Sequence, residues 1–305
     1  MYDVIPDIHG YASKLKSALG NLGYAEKRGA WRHSDPARHA VFLGDFIDRG
    51  PENREVIRVV RAMIDAGTAS AVMGNHELNA IHFHTEDKNG ALRDRSEKSY
   101  AQHASFLREF PVGHAATKEA ISWMCTLPLY LEVGGFRAVH ACWNEEDIKE
   151  LKTISQNGVL SADQLIEAAA RGRRLFRLVE TALKGPELRL PEGFAIVDKG
   201  GHTRKSVRSK WWHEGATTWR DIAMSVPDLE QLPDQNLPDS VLTSAYSIVA
   251  PPVFFGHYWM EGEPRLQTKN ALCLDYSAGL GGPLVSYAAE PGLCSLSLDC
   301  LTIHN

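Results

Sequence analysis

Aspartate, histidine and asparagine recur in this chain in short runs beside glycine. The runs are Asp7-Ile8-His9-Gly10, Gly44-Asp45-Phe46-Ile47-Asp48-Arg49-Gly50, Gly74-Asn75-His76-Glu77, Val139-His140-Ala141 and Gly256-His257. Their side chains offer oxygen and nitrogen ligands suited to Mn, Fe, Zn or similar divalent ions, with no cysteine required. Asp45 has two carboxylate oxygens and can bridge two ions. Two ions roughly 3.5–4 Å apart can clamp a phosphate, polarise it and lower the pKa of a water towards about 7, making that water a nucleophile near neutral pH.

Such chemistry needs scaffolding, and each run has it. The runs follow the β-like stretches Tyr2 to Pro6, Ala40 to Leu43, Ala69 to Met73, Phe136 to Val139 and Val253 to Phe255. Ligands in open α/β sheets gather at the carboxyl ends of strands, where loops converge, so five polar loops at five strand ends imply one shared site. Helical spacing appears between the strands. Leu15, Ala18, Leu19 and Leu22 share one face, and so do Val56, Val59, Val60, Met63 and Ile64. Helices are also expected over 77–84, 96–110 and 115–127. The β-α-β-α-β order predicts a layered α/β fold. Residues 144–183 read as charged helix and 186–252 as irregular. Short strands return at 253–255, 271–274, 284–287 and 296–298. The expectation is one domain over 1–305 with an insertion at about 144–250.

Taken singly, the runs have ordinary readings. Asp7-x-His9 could be an Asx turn, Asn75 a helix cap, and His140 and His257 core histidines. The seven-residue run through Gly50 is far more specific, and five such runs in order leave little room for coincidence. Together they resemble the calcineurin-like metallophosphoesterase superfamily. The full G-D-x-x-D-R-G form is similar to its phosphoprotein-phosphatase branch, which includes Ser/Thr protein phosphatases and bacterial diadenosine tetraphosphatases. The segment Leu274-Asp275-Tyr276-Ser277 to Gly281-Gly282-Pro283-Leu284 resembles the branch's closing strands more loosely.

The resemblance implies a two-sheet β-sandwich flanked by helices. It implies that Asp7 and His9 bind one ion and Asn75, His140 and His257 a second, with Asp45 bridging. His76 would give a proton to the leaving oxygen, with Asp48 orienting its ring, and Arg49 would grip phosphate oxygens. Mn2+ is the expected metal, with Fe or Zn as alternatives. Cys142 and Trp143 follow His140-Ala141 where relatives usually carry glycine, which predicts a narrowed pocket or a thiol near the ions. Arg208 is the expected second phosphate ligand, with Arg204 and Arg137 as alternatives.

The expected reaction is hydrolysis of a phosphate monoester, as in Ser/Thr phosphatases. The alternative is a nucleotidyl anhydride such as diadenosine tetraphosphate, and a non-catalytic metal-binding scaffold ranks below both. The partner is a phosphorylated substrate, either a phosphoprotein or a small ester or dinucleotide. A formal net charge of −5 argues against a nucleic-acid duplex. No apolar run approaches the ~20 residues of a membrane span. Five cysteines without a C-x-x-C pair, and no signal-peptide pattern at the start, fit reduced thiols and a cytoplasmic location. His82 and His84 are expected to face solvent, and the Arg171 to Arg174 cluster to be a solvated helix face. Trp211-Trp212 either stacks on a nucleobase or, as the commoner outcome, packs the insertion onto the core.

Overall fold

A computed structural model describes residues 1–197, 201–239 and 245–304. Nine strands build the two main sheets. In chain order they are β1 (Tyr2–Ile5), β2 (His39–Phe42), β3 (Ala69–Ala71), β4 (Tyr130–Val133), β5 (Phe136–Val139), β6 (Val253–Phe255), β7 (Ala271–Cys273), β8 (Leu284–Ala289) and β9 (Leu301–His304). One sheet is five-stranded, in the order β9-β8-β1-β2-β3, and the other is four-stranded, in the order β7-β6-β5-β4. An aromatic seam joins them. Tyr2 and Tyr287 of the first sheet meet Phe136 and Phe254 of the second, with centroids 5.4 Å apart for Tyr2–Phe136 and 4.9 Å for Phe254–Tyr287. This is the expected sandwich.

Register is what positions the site. The β1–β2 and β2–β3 pairs are parallel, matching Ile5 with Phe42 and Phe42 with Ala71. The β5–β6 and β6–β7 pairs are parallel too, matching Phe254 with Ala138 and Phe255 with Cys273. Parallel strands in register end together, so the polar runs after each leave the two sheets at one edge. Val4, Ile5, Val41, Phe42, Phe254 and Phe255 are wholly buried, as strands covered on both faces should be.

The helices form where the apolar spacing predicts: α1 (Ala12–Asn21), α2 (Asn53–Asp65), α3 (Asn75–His84), α4 (Glu97–Glu109) and α5 (Ala115–Met124). On α2 the buried residues include Val56, Val59, Val60 and Met63. His82 and His84 do not face solvent. His82 is buried and its Nε2 donates to the Leu165 carbonyl at 2.9 Å, while His84 turns to His103.

The β5–β6 connection spans the predicted insertion. It contains α6 (Glu145–Ile154), α7 (Ala162–Glu167) and α8 (Arg174–Lys184). Arg171 to Arg173 are exposed, and Arg174 pairs with Glu150 on α6. The part expected to be irregular carries a three-stranded sheet of Glu187–Arg189, Ser206–Ser209 and Ala223–Met224. Leu188, Val207, Trp219 and Ile222 give it a small core of its own. Residues 198–200 and 240–244 of the connection lie outside the described residues. Trp211 and Trp212 are buried and pack on Phe255, at 4.9 and 5.0 Å between ring centroids, and Trp211 Nε1 donates to the Ala141 carbonyl. They serve as packing under β6 and do not form a stacking platform. The strand expected at 296–298 begins later, at Leu301, after a 3-10 turn over Leu298–Cys300.

Candidate active site

The loops at the strand ends are held in costly conformations. His9, Asp45, Asp48, Arg49, His257 and Trp259 all have positive φ, between 49° and 71°, a region that L residues enter only when their surroundings hold them there. Here the surroundings are the neighbouring loops. The Asp45 carbonyl accepts from the Ile8 and His9 amides at 3.0 and 2.9 Å. Gly74 must be glycine because a Cβ there would lie 2.2 Å from the Asp45 nitrogen, and a Cβ on Gly256 would lie 1.9 Å from Asp7 Oδ1.

The six predicted metal ligands converge. His140 Nε2 is 3.4 Å from Asp45 Oδ2 and 3.1 Å from Asn75 Oδ1, and His257 Nδ1 is 2.6 Å from Asn75 Oδ1. His9 Nε2 lies 3.7 Å from Asp45 Oδ2 and 4.0 Å from Asp7 Oδ2. Two candidate cation groups share Asp45: one with His9 and His76, the other with His140 and His257. The donor set fits divalent ions for a specific reason. His9 Nδ1 donates to the Ile47 carbonyl and His140 Nδ1 to the Leu43 carbonyl, at 3.1 and 2.7 Å. Those bonds turn both Nε2 atoms inward, where they meet oxygen acceptors, and fixing a ring through its outer nitrogen is how metal-ligating imidazoles are oriented. His9 Nε2 and His257 Nε2 are buried with no hydrogen-bond partner.

The electrostatics agree. Burial drives His9 down to about 3 and His257 well below the ordinary histidine range, so both are neutral. Burial, with Asp275 next in strength, pushes Asp7 well above the usual carboxylate range. Burial would lower His140 too, but the Asp45 and Asp7 carboxylates overcome it and hold His140 at about 10. Burial beside one another disfavours the charged forms of Asp7 and Asp275, a cost that a cation among these carboxylates would relieve.

Around this centre, His76 Nδ1 is bound to Asp48 Oδ2 at 2.6 Å, as expected, and the ring sits 4.0 Å by Nε2 from Asp45 Oδ2. His103 was not foreseen. Its Nδ1 takes the other oxygen, Asp48 Oδ1, at 2.7 Å, and its Nε2 meets His84 Nε2 at 3.2 Å. Glu77 was also unassigned. Its carboxylate accepts the Asp45, Phe46 and Gly74 amides at 2.8, 2.9 and 2.9 Å, which ties the second and third motifs together. Its place in the Gly74-to-Glu77 run was the available signal; His103 had none. Asp275, also missed, accepts the Trp259 and Ser277 amides at 2.8 and 2.9 Å and shapes the loop after His257.

Arg49 lies over the face of Trp259, with its guanidinium carbon 3.8 Å from the ring centroid. Both line a cavity of about 900 Å3 that opens beside His76 and Asn75. Arg208 and Arg204 line the same cavity from the three-stranded sheet and the hairpin beside it. Arg137 is elsewhere, paired with Glu145 and Glu132. Cys142 and Trp143 do not narrow the pocket. Both are buried in the core, and burial holds the Cys142 thiol well above its ordinary range.

Paired parallel strand ends, a shared carboxylate and inward imidazoles frame a candidate site for divalent ions. Residues 2–257 match the family described as calcineurin-like phosphoesterase, and the chain belongs to that family. It is 29% identical over 186 residues to the bis(5'-nucleosyl)-tetraphosphatase PrpE (asymmetrical) of Bacillus subtilis, covering 60% of this chain and 75% of that protein. The namesake from Bacillus velezensis is 30% identical over 188 residues, covering 60% and 73%. A shorter match, 45% identical over 75 residues, covers 25% of this chain and only 30% of the Halalkalibacterium halodurans protein of the same name. A solved cold-active protein-tyrosine phosphatase from a psychrophilic Shewanella species aligns with TM-score 0.51 at 16% identity, covering 100% of this chain and 80% of that one. That likeness is one of fold.

Proposed function

We propose that this chain is a two-metal hydrolase that cleaves a phosphoric anhydride in a nucleotide of the bis(5'-nucleosyl)-tetraphosphate kind. The observation that carries this reading is the cavity: about 900 Å3, reaching from the ligand cluster to arginines on several elements, it exceeds the needs of a single phosphate. The names of the PrpE relatives support the same substrate class. The phosphomonoester reading comes second. What favours it is the Asp48-supported His76, because an alkoxide leaving group needs a proton most.

Asp7 and His9 would hold one divalent ion and Asn75, His140 and His257 the other, with the Asp45 carboxylate shared between them; Mn2+ suits the donors, as do Fe and Zn. The ions would supply charge neutralisation for the phosphoryl oxygens and a water acidic enough to attack near neutral pH. Arg49, braced by Trp259, and Arg208 grip the phosphoryl group through paired N–H donors. As the water oxygen bonds to phosphorus and the bond to the bridging oxygen breaks, His76 donates its Nε2 proton to the departing oxygen, and Asp48 stabilises the charged ring before transfer. We read residues 1–305 as one domain, with the insertion at about 144–250 supplying one wall of the cavity.

The test is a ranking of kcat/KM for the metal-loaded protein on diadenosine tetraphosphate, a phosphoserine peptide, bis-p-nitrophenyl phosphate and p-nitrophenyl phosphate. Diadenosine tetraphosphate should lead by about a hundredfold or more, a difference of about 2.8 kcal/mol in transition-state binding. A lead for the phosphoserine peptide would replace this reading with the second.

A further inference from the structure

The cavity has a cationic wall that the reaction just described does not use. Arg93 lies in the turn between α3 and α4, where its amide donates to the His82 carbonyl at 3.0 Å. Its side chain is partly buried and lines the cavity. The guanidinium makes one side-chain bond, from Nη2 to Gln102 Oε1 at 2.8 Å, and has no carboxylate partner among the described residues. Its neighbour Arg95, by contrast, pairs with Glu86 and donates to the Phe83 carbonyl. Asp48 and Glu180 are close enough to pull on Arg93, but neither bonds it: both Asp48 oxygens are taken, by His76 and His103, and Glu180 pairs with Lys184. Arginine carries five N–H donors in a rigid fork, and a half-buried charge left without a counter-ion is costly. Arg108, further along α4, lines the same cavity. Arg93 and Arg108 sit on different elements from Arg204 and Arg208, and Arg93 lies near Asp48.

We propose that Arg93, presented by Gln102, is a second phosphate subsite that holds the phosphate next to the one gripped by Arg49. The ligand class is a linear oligophosphate, with or without nucleosides at its ends. The inference rests on the placement of the reacting phosphoryl group at Arg49 given above and deepens it, because it requires a substrate with at least two linked phosphates.

The experiment measures competitive inhibition of p-nitrophenyl phosphate hydrolysis by orthophosphate and by tripolyphosphate, with the free divalent ion held constant. In the parent, tripolyphosphate should bind at least about tenfold more tightly than orthophosphate. In Arg93→Gln that advantage should shrink by about tenfold or more, towards parity with orthophosphate, as expected for lost hydrogen bonds to a charged group. Arg93→Lys, which keeps the charge but not the fork, should restore part of it. The orthophosphate constant reports whether the variant has kept its centre. Equal weakening of both inhibitors, or a parent with no preference for tripolyphosphate, overturns the subsite. If the parent prefers tripolyphosphate and the variant loses that preference, yet diadenosine tetraphosphate is not cleaved, the subsite stands and the dinucleotide reading falls. If diadenosine tetraphosphate is cleaved with the same KM in parent and Arg93→Gln, the subsite falls and the dinucleotide reading survives.

Discussion

At the scale of single residues, most of the proposed chemistry depends on where one proton sits. Burial acts to lower the pKa of His76, yet the carboxylates of Asp45 and Asp48 outweigh it and raise it. A ring that stays protonated can serve as an acid, a role worth about 10²–10⁴-fold. His76→Asn should keep its ions and lose activity in proportion to leaving-group basicity, most on a phosphoserine peptide and least on p-nitrophenyl phosphate. A uniform loss across leaving groups, with metal content intact, would remove this role. Asp48 makes its own prediction. Burial favours its neutral form, but the bonds from His103 and His76 prevail and hold the carboxyl at about 2, below the ordinary 3.8. A depressed folded-state pKa contributes stability that is fully present above about pH 4 and is lost as pH falls through about 2, here about 2 kcal/mol. The stability gap between parent and Asp48→Asn in urea should therefore be wide at pH 6 and narrow towards pH 2; a gap independent of pH would contradict the assignment. The Asp48–His76 pair was legible because both residues stand in motifs. His103 was not, since it is one of 13 histidines, placed by the packing of α4 and by no local spacing.

At the scale of elements, the strand-end loops are stapled to one another more than to their own strands. Glu77 is the staple between the loops after β2 and β3, and it starts α3 by accepting the Gly74 amide. In Glu77→Gln, one acceptor oxygen becomes an NH2 group that faces amide donors. That should cost about 1–3 kcal/mol and loosen Asp45, so urea midpoint and bound metal should fall together. A variant with full metal and reduced midpoint would limit Glu77 to stability. The core strands were legible because each is a short apolar run closed by a glycine-bearing polar loop. The last strand was misplaced by a side-chain contact that periodicity does not encode. The Ser297 amide donates to the Tyr287 hydroxyl, and Ser297 Oγ caps the turn by accepting the Asp299 amide. Pairing therefore starts only at Leu301. The sheet within 187–224 escaped for another reason: its strands span two to four residues, too few for alternation to register.

At the scale of the molecule, a chain with formal net charge −5 presents a cavity whose wall sets Arg49, Arg93, Arg108, Arg204 and Arg208 against Asp45, Asp48, Glu187 and Glu261, a more basic balance than the chain as a whole. The β5–β6 connection explains part of that contrast. It leaves the sheet after Val139 and returns at Val253, just before His257, so the strand carrying Arg208 is delivered beside His257. Its length, and with it a part in shaping substrate access, was legible in sequence; how it is seated was not, because that depends on how Trp211 and Trp212 pack against Phe255 and Tyr258. Gathering cations in a concave, low-dielectric surface focuses their field and raises the local concentration of anions. The effect extends about one Debye length, near 10 Å at 0.1 M salt and about 3 Å at 1 M. A substrate with four linked phosphates should feel several of these arginines during approach, whereas p-nitrophenyl phosphate feels chiefly those at the centre. Raising NaCl from about 0.05 M to about 0.5 M, a range over which screening tightens severalfold, should then lower kcat/KM for diadenosine tetraphosphate several times more steeply than for p-nitrophenyl phosphate. The drop should appear in KM, since the buried centre is shielded from salt while the mouth of the cavity is not. Parallel salt dependence for the two substrates would mean that the arginines act only on contact, and that the negative remainder of the surface cancels their pull at a distance.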